Sequence, residues 1–213
     1  MSLPILYSFR RCPYAMRARM AIHYSDCKVE LREVLLKDKP SELLHASARG
    51  TVPVLVLNNK VIDQSMDIMH WALSRRDPDN WLSASTKINT NTLQLITEND
   101  NIFKLHLDHY KYADQHPQHS AEYYRTQGEH FLIKLEQQLN THRYLSGPKL
   151  SIVDISVFPF IRQFAHVDKD WFEHTDYPRL QNWLDSLICS ELFSQVMIKH
   201  PVWTPGQQGI IIN

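Results

Sequence analysis

The stretch Leu3-Pro-Ile-Leu-Tyr-Ser-Phe-Arg-Arg-Cys-Pro-Tyr-Ala-Met-Arg-Ala-Arg-Met-Ala-Ile22 changes character halfway along. Leu3 to Tyr7 is a short apolar run of strand formers and predicts a buried β-strand. After it, Met16, Met20 and Ala21 recur at helical spacing with basic residues between them. Arg10-Arg11-Cys12-Pro13 separates the two. Pro13 has no N–H to lose in a first helical turn, which places Cys12 at the N-cap. A thiol there faces unpaired backbone N–H groups and the positive end of the helix dipole, and the two arginines add charge of the same sign. All three effects favour thiolate over thiol, so Cys12 is the candidate nucleophile. The ordinary role of a cysteine is that of a small buried hydrophobe. The sequence of strand, basic turn, Cys-Pro and helix weighs against that role here.

Downstream, Lys28 to Leu36 alternates as a second strand, with Val29, Leu31 and Val34–Leu36 as apolar members. Its place after a strand and a helix implies a parallel neighbour and a right-handed crossover. Pro40-Ser41 opens a short helix carrying Leu43 and Leu44. Gly50 to Leu57 predicts a strand with Pro53 near its start, Asn58-Asn59 a turn, and Lys60-Val61-Ile62 the hairpin partner. Asp63-Gln64-Ser65 caps a helix whose apolar face is Met66, Ile68, Met69, Trp71, Ala72 and Leu73. The order is β-α-β-α-β-β-α, and the charged, turn-rich Arg75–Asn80 predicts a boundary near residues 77–85.

Beyond it the pattern is helical: residues 86–114, 120–140, a nearly all-apolar segment from Ile155 to Phe164, then about 177–189 and 190–199. Ser151-Ile-Val-Asp154 reads as a capping box opening the apolar segment. The tail from Pro201 to Asn213 has no helical period and is expected to be coil. The fold class is therefore an α/β domain over 1–77 and an all-α domain over 86–213.

Lys+Arg and Asp+Glu each number 23, so no net charge points to nucleic acid or an anionic membrane surface. No apolar run approaches the roughly 20 residues a membrane span needs, and the first residues lack a signal-peptide pattern. An odd set of 3 cysteines makes no disulfide framework and points to a reducing, cytoplasmic setting. With only 5 glycines there is no phosphate-cradling loop. His106, His109, His116 and His119 mix helical and loop spacing without a Cys or carboxylate constellation, so no metal site is expected.

Cys12-Pro13-Tyr14-Ala15, Thr51-Val52-Pro53, Asp63-Gln64-Ser65-Met66-Asp67 and the capping box, in that order, resemble the cytosolic glutathione S-transferase superfamily across essentially the whole chain. Its fold is a thioredoxin-like domain followed by a helical one. Two branches are most similar. One is omega-like, with Cys-Pro-aromatic-Ala and a Lys-x-Lys-Pro turn like Lys37–Pro40. The other is the two-domain glutaredoxin with a transferase-like fold, whose second active-site cysteine stands where this chain has Ala15. Both usually carry Glu where this chain has Gln64.

The resemblance implies glutathione as co-substrate and thiol transfer at Cys12 alone, since Ala15 supplies no resolving thiol. It also implies that Val52, beside a cis Pro53, pairs with the glutathione backbone. Gln64 and Ser65 would meet the γ-glutamyl carboxylate, and Lys39 the glycine carboxylate. Arg10, Arg11 and Tyr14 would support the thiolate. Phe103, His106, Tyr110 and Trp171 are weaker candidates for the wall of a second-substrate pocket, taking a glutathionylated thiol or a small electrophile. A homodimer is expected from the family. Two alternatives stay open: a conjugating transferase activating glutathione with the Tyr7 or Ser8 hydroxyl, and a non-catalytic interaction module of the same fold, which Gln64 favours.

Overall fold

The computed structural model describes residues 2–82 and 90–213, with main chain only at 90–92. The chain divides into two compact units, Met1–Asp79 with Ser190–Asn213, and Asn80–Cys189. Part of the expected 77–85 boundary, and the start of the helix expected at 86, lie outside the described residues.

The first unit is built on β1 (Ile5–Ser8), α1 (Pro13–Tyr24), β2 (Val29–Glu33), α2 (Ser41–Ala46), β3 (Val54–Val56), β4 (Val61–Ile62) and α3 (Ser65–Leu73). β1 runs parallel to β2 and antiparallel to β3, and β4 closes the hairpin with β3. This is the mixed sheet of a thioredoxin-like domain, in the order β4-β3-β1-β2, with a fifth strand beyond β2. Leu6, Val29, Leu31, Val54 and Leu55 are buried in the sheet, and α1 packs on α3, with Met20 of α1 and Ile68, Met69 and Ala72 of α3 fully buried.

Two boundaries differ from expectation. β2 ends at Glu33, because Leu35 bridges back to Asp38 in a tight turn and leaves Leu35 and Leu36 exposed. The tail is not coil: β5 (Ile210–Ile212) pairs antiparallel with β2, Val29 opposite Ile212. A short helix, α10 (Glu191–Val196), packs on α1. The last 24 residues thus belong with the sheet, and the helical unit ends at Cys189 instead of running to 213. The physical reason is that the β2 edge, open after β1 has paired its other side, needs hydrogen-bond partners that a local sequence pattern does not reveal.

The second unit contains α4 (Thr90–Glu98), a π turn (Asn99–Phe103), α5 (Lys104–Lys111), α6 (Ala121–Thr141), α7 (Ile152–Ala165), α8 (Lys169–Glu173) and α9 (Pro178–Ile188). Its centre is α7, buried along almost its whole length. Ser151 and Asp154 form the expected capping box. Asp154 also accepts from Leu145 N at 2.9 Å and Trp183 Nε1 at 3.0 Å, so one carboxylate ties a loop, a helix start and α9 together. Gly128 of α6 lies against Phe164, where an added Cβ would sit 2.5 Å from the ring. No helix among the described residues is long and apolar enough to cross a membrane.

Candidate functional site

Cys12 occupies the N-cap of α1 with extended backbone (φ −74, ψ 122), and Pro13 follows inside the first turn. Cys12 N donates to Phe9 O at 3.0 Å and Met16 N to Cys12 O at 2.8 Å, closing the turn and starting the helix. The thiol is half-buried and its Sγ lies 3.6 Å from the carbonyl of Val52. The Val52–Pro53 bond is cis. Cys12 packs with Phe9 and Trp203 against a core cluster of Tyr7, Val34, Leu43, Val52 and Val54. The structure therefore brings together the two elements singled out first, the Cys-Pro turn and the Val-Pro strand entry.

A second group forms where α1 meets α3. Arg17, buried, donates from Nε to Ser65 Oγ at 3.0 Å and stacks on Tyr14 at 5.0 Å. Ser65 is the first residue inside α3, not its cap; Gln64 takes the cap position, is exposed and makes no side-chain capping bond. The Ser65 hydroxyl, accepting from Arg17, keeps its own hydrogen to donate. Lys39 is half-buried, its Nζ 3.8 Å from where a Cβ on Gly50 would stand. Gly50 itself has φ +58, a conformation that favours glycine and that turns the chain toward Thr51-Val52. Arg11 is exposed and lies over Phe9 at 5.7 Å. Arg10 is held through its main chain: its N–H donates to Glu33 Oε1 at 2.6 Å and its carbonyl accepts from Arg19 Nη2 at 2.7 Å.

The alternative hydroxyls are both built into the scaffold. Tyr7 Oη accepts from Arg32 at 2.8 Å, and burial pushes the phenol above its ordinary range. Arg32 is in turn bound to Glu30 at 2.8 Å and stacked on Trp203 at 4.2 Å. Ser8 is fully buried and accepts from Arg19. Cys27 is buried, its thiol pushed up by desolvation, and Cys189 is exposed at the end of α9.

Of the four residues expected to wall a second-substrate pocket, all in the helical unit, Phe103 and His106 line one cleft, and Tyr110 and Trp171 do not line it. Phe103 and Tyr110 are core residues, Phe103 between Phe131 (4.8 Å) and Phe164 (5.3 Å) and Tyr110 against Phe164 (5.1 Å). Helical spacing cannot tell a buried aromatic from one lining a pocket. Trp171 keeps some exposure beneath Arg125, 4.7 Å away. His106 lines a cleft of about 620 Å³ with Glu98, Gln127, His130 and Lys134, and burial holds its imidazole below the usual range. His109 and His116 stack at 4.0 Å. No group of three or more potential metal ligands occurs among the described residues.

Sequence reasoning passed over Arg17, Arg19, Glu33, Arg32 and Trp203. A signal existed for one of them: Val29, Leu31 and Glu33 share the inward face of a strand of period two, so a carboxylate there had to be buried and bonded.

A thioredoxin-like mixed sheet, a cysteine at the first helix N-cap beside a cis-proline strand, and a separate helical unit define a two-domain class of thioredoxin-fold protein. Residues 6–81 match the family model "Glutathione S-transferase, N-terminal domain" and residues 113–186 match "Glutathione S-transferase, C-terminal domain". The chain belongs to the glutathione S-transferase superfamily. It is 22% identical over 206 residues to glutathione S-transferase DHAR2 of Arabidopsis thaliana, covering 93% of this chain and 89% of that one. It is 22% identical over 192 residues to glutathione S-transferase omega-1 of Rattus norvegicus, covering 85% and 75%. The fold also matches a solved glutathione transferase family member from Pseudomonas fluorescens with two glutathione bound, at a TM-score of 0.78, 14% identity and 92% coverage of both chains.

Proposed function

We propose that the protein is a glutathione-dependent thiol transferase working through a mixed disulfide at Cys12. The observation that carries this reading is the thiol at the α1 N-cap, 3.6 Å from the Val52 carbonyl. A tripeptide backbone pairing with the main chain at Val52 would lay its cysteine beside Sγ. The Cys12 thiolate attacks the glutathionyl sulfur of a mixed disulfide, forms Cys12–S–SG and breaks the original S–S bond, so that the other sulfur leaves as a thiolate and takes up a proton. A second glutathione thiolate attacks Cys12–S–SG, leaves as oxidised glutathione and restores Cys12. Ser65 and Gln64 at the start of α3 hold the γ-glutamyl carboxylate, with Arg17 adding positive charge behind Ser65. Lys39 meets the glycine carboxylate. Arg10, Arg11 and Tyr14 support the turn, and glutathionylated thiols are the second substrates, half-buried Trp171 being the candidate to meet them.

The burial of Tyr7 and Ser8, each already hydrogen-bonded to an arginine, supports Cys12 over hydroxyl activation of a conjugation reaction. Exposure of the protein to oxidised glutathione, followed by peptide mass mapping, tests the reading. A glutathionyl adduct is expected on Cys12, and Cys12→Ala abolishes thiol transfer; an unmodified Cys12 overturns the mechanism and favours the interaction module. We also propose a homodimer formed through the helical unit, where Ile102, Leu105 and Ile133 are exposed and Ile102 and Ile133 line the cleft beside the Glu98–Lys134 pair.

A further inference from the structure

Arg19 sits on α1 two turns beyond Cys12, and its side chain does not reach for water as surface arginines do. It is 3% exposed. Nη1 donates to Ser8 Oγ and to Phe9 O at 3.3 Å, Nη2 to Arg10 O at 2.7 Å, and Nε to Val196 O at 3.2 Å. Phe9 O is the same carbonyl that accepts from Cys12 N at 3.0 Å. The adjoining residue is gripped from the other side, since Arg10 N donates to Glu33 Oε1 at 2.6 Å. Glu33 O then accepts from Trp203 N at 2.8 Å, and Trp203 packs in the cluster that includes Cys12. A guanidinium fork, with five N–H donors in a fixed plane, can hold three successive acceptors of a turn at once.

We propose that Arg19 is the positioning residue of the Cys12 nucleophile: a buried cation that fixes the turn carrying the thiol and joins it to Glu33 and to the C-terminal segment. This rests on Cys12 being the reacting thiol. Burial lowers Arg19 to about 10, so it remains a cation at neutral pH, and the charges of Glu33 and Cys12 both favour that form. By reciprocity its charge favours the thiolate. The charged groups around the turn are Arg10 and Arg11 on the turn itself, Arg19 on α1, Glu33 on β2, and His200 of the tail, which feels Arg19. Lys39 lies over Gly50. Exposed Arg11 is screened by water and salt; Arg19, out of solvent, is not.

The pH dependence of Cys12 alkylation by iodoacetamide, followed by peptide mass spectrometry on the full chain, tests the assignment. Arg19→Gln should raise the midpoint by about one pH unit, a tenfold loss of thiolate below it. Glu33→Gln keeps an oxygen to accept from Arg10 N but removes the negative charge, and should lower the midpoint. Opposite shifts are not produced by loosened packing alone. A folded Arg19→Gln protein, judged by circular dichroism, with the wild-type midpoint overturns the proposal. If that variant does not fold, a Glu33→Gln midpoint that stays or rises overturns it by itself. The glutathionyl adduct on wild-type Cys12 is read separately: its absence sinks thiol transfer, whereas an intact adduct with unmoved midpoints sinks only the role of Arg19.

Discussion

Tyr7 and Cys12 lie five residues apart, and each carries a group able to serve glutathione chemistry. Their surroundings separate them. The phenol is locked under Arg32 and Trp203 inside the sheet, while the thiol is half-buried at a helix start. Tyr7→Phe should therefore remove one hydrogen bond, costing about 1 kcal/mol of stability, and leave thiol transfer within about threefold of wild type, a change worth under 1 kcal/mol of barrier. A folded Tyr7→Phe protein with no activity would restore the hydroxyl reading. The same contrast explains what could be read from residues alone. Cys12-Pro13 is legible because capping is local: proline fixes the first turn, and the residue before it becomes the cap. Arg19 and Arg17 are not legible, because a helix wheel shows only that two arginines fall among apolar neighbours, not which distant carbonyl or hydroxyl each will meet.

Elements follow a similar division. α7 and its box were readable from Ser151-Ile-Val-Asp154 and the apolar run after it, both short-range signals. β5 was not, since three isoleucines are too few to show a period and their reason to extend is the β2 edge some 180 residues earlier in the chain. α8, five residues capped by Asp168, is likewise below the length at which periodicity speaks. Within α6, Gly128 offers a test of packing against propensity. Alanine in an exposed helix is worth up to about 1 kcal/mol over glycine, yet here the Cβ would meet Phe164 at 2.5 Å. Overpacking of this kind costs about 1–3 kcal/mol, so Gly128→Ala should lower the urea midpoint. A raised midpoint would show that Phe164 moves aside freely.

For the whole molecule, the exposed apolar residues on the helical unit make a claim about assembly. Ile102, Leu105 and Ile133 are 59%, 52% and 39% exposed, and Ile102 and Ile133 line one cleft, an arrangement that suits association. Sedimentation at micromolar concentration should give about twice the mass of the 25.1 kDa chain, and Ile102→Glu with Ile133→Glu should halve it. A wild-type monomer would remove the dimer from the proposal. The sheet makes the opposite claim. With β5 laid along β2, that edge has its N–H and C=O groups paired by the chain itself, and β4 at the other edge is two residues long. Gly209, just before β5, lies so close to the strand that a Cβ would stand 2.5 Å from Leu31 O. An unpaired strand is a template on which other chains can extend a sheet. The final residues therefore shorten the open border of the sheet: β5, with 3 residues, replaces the 5-residue β2 as the edge strand and offers a passing strand a shorter row of backbone groups to recruit.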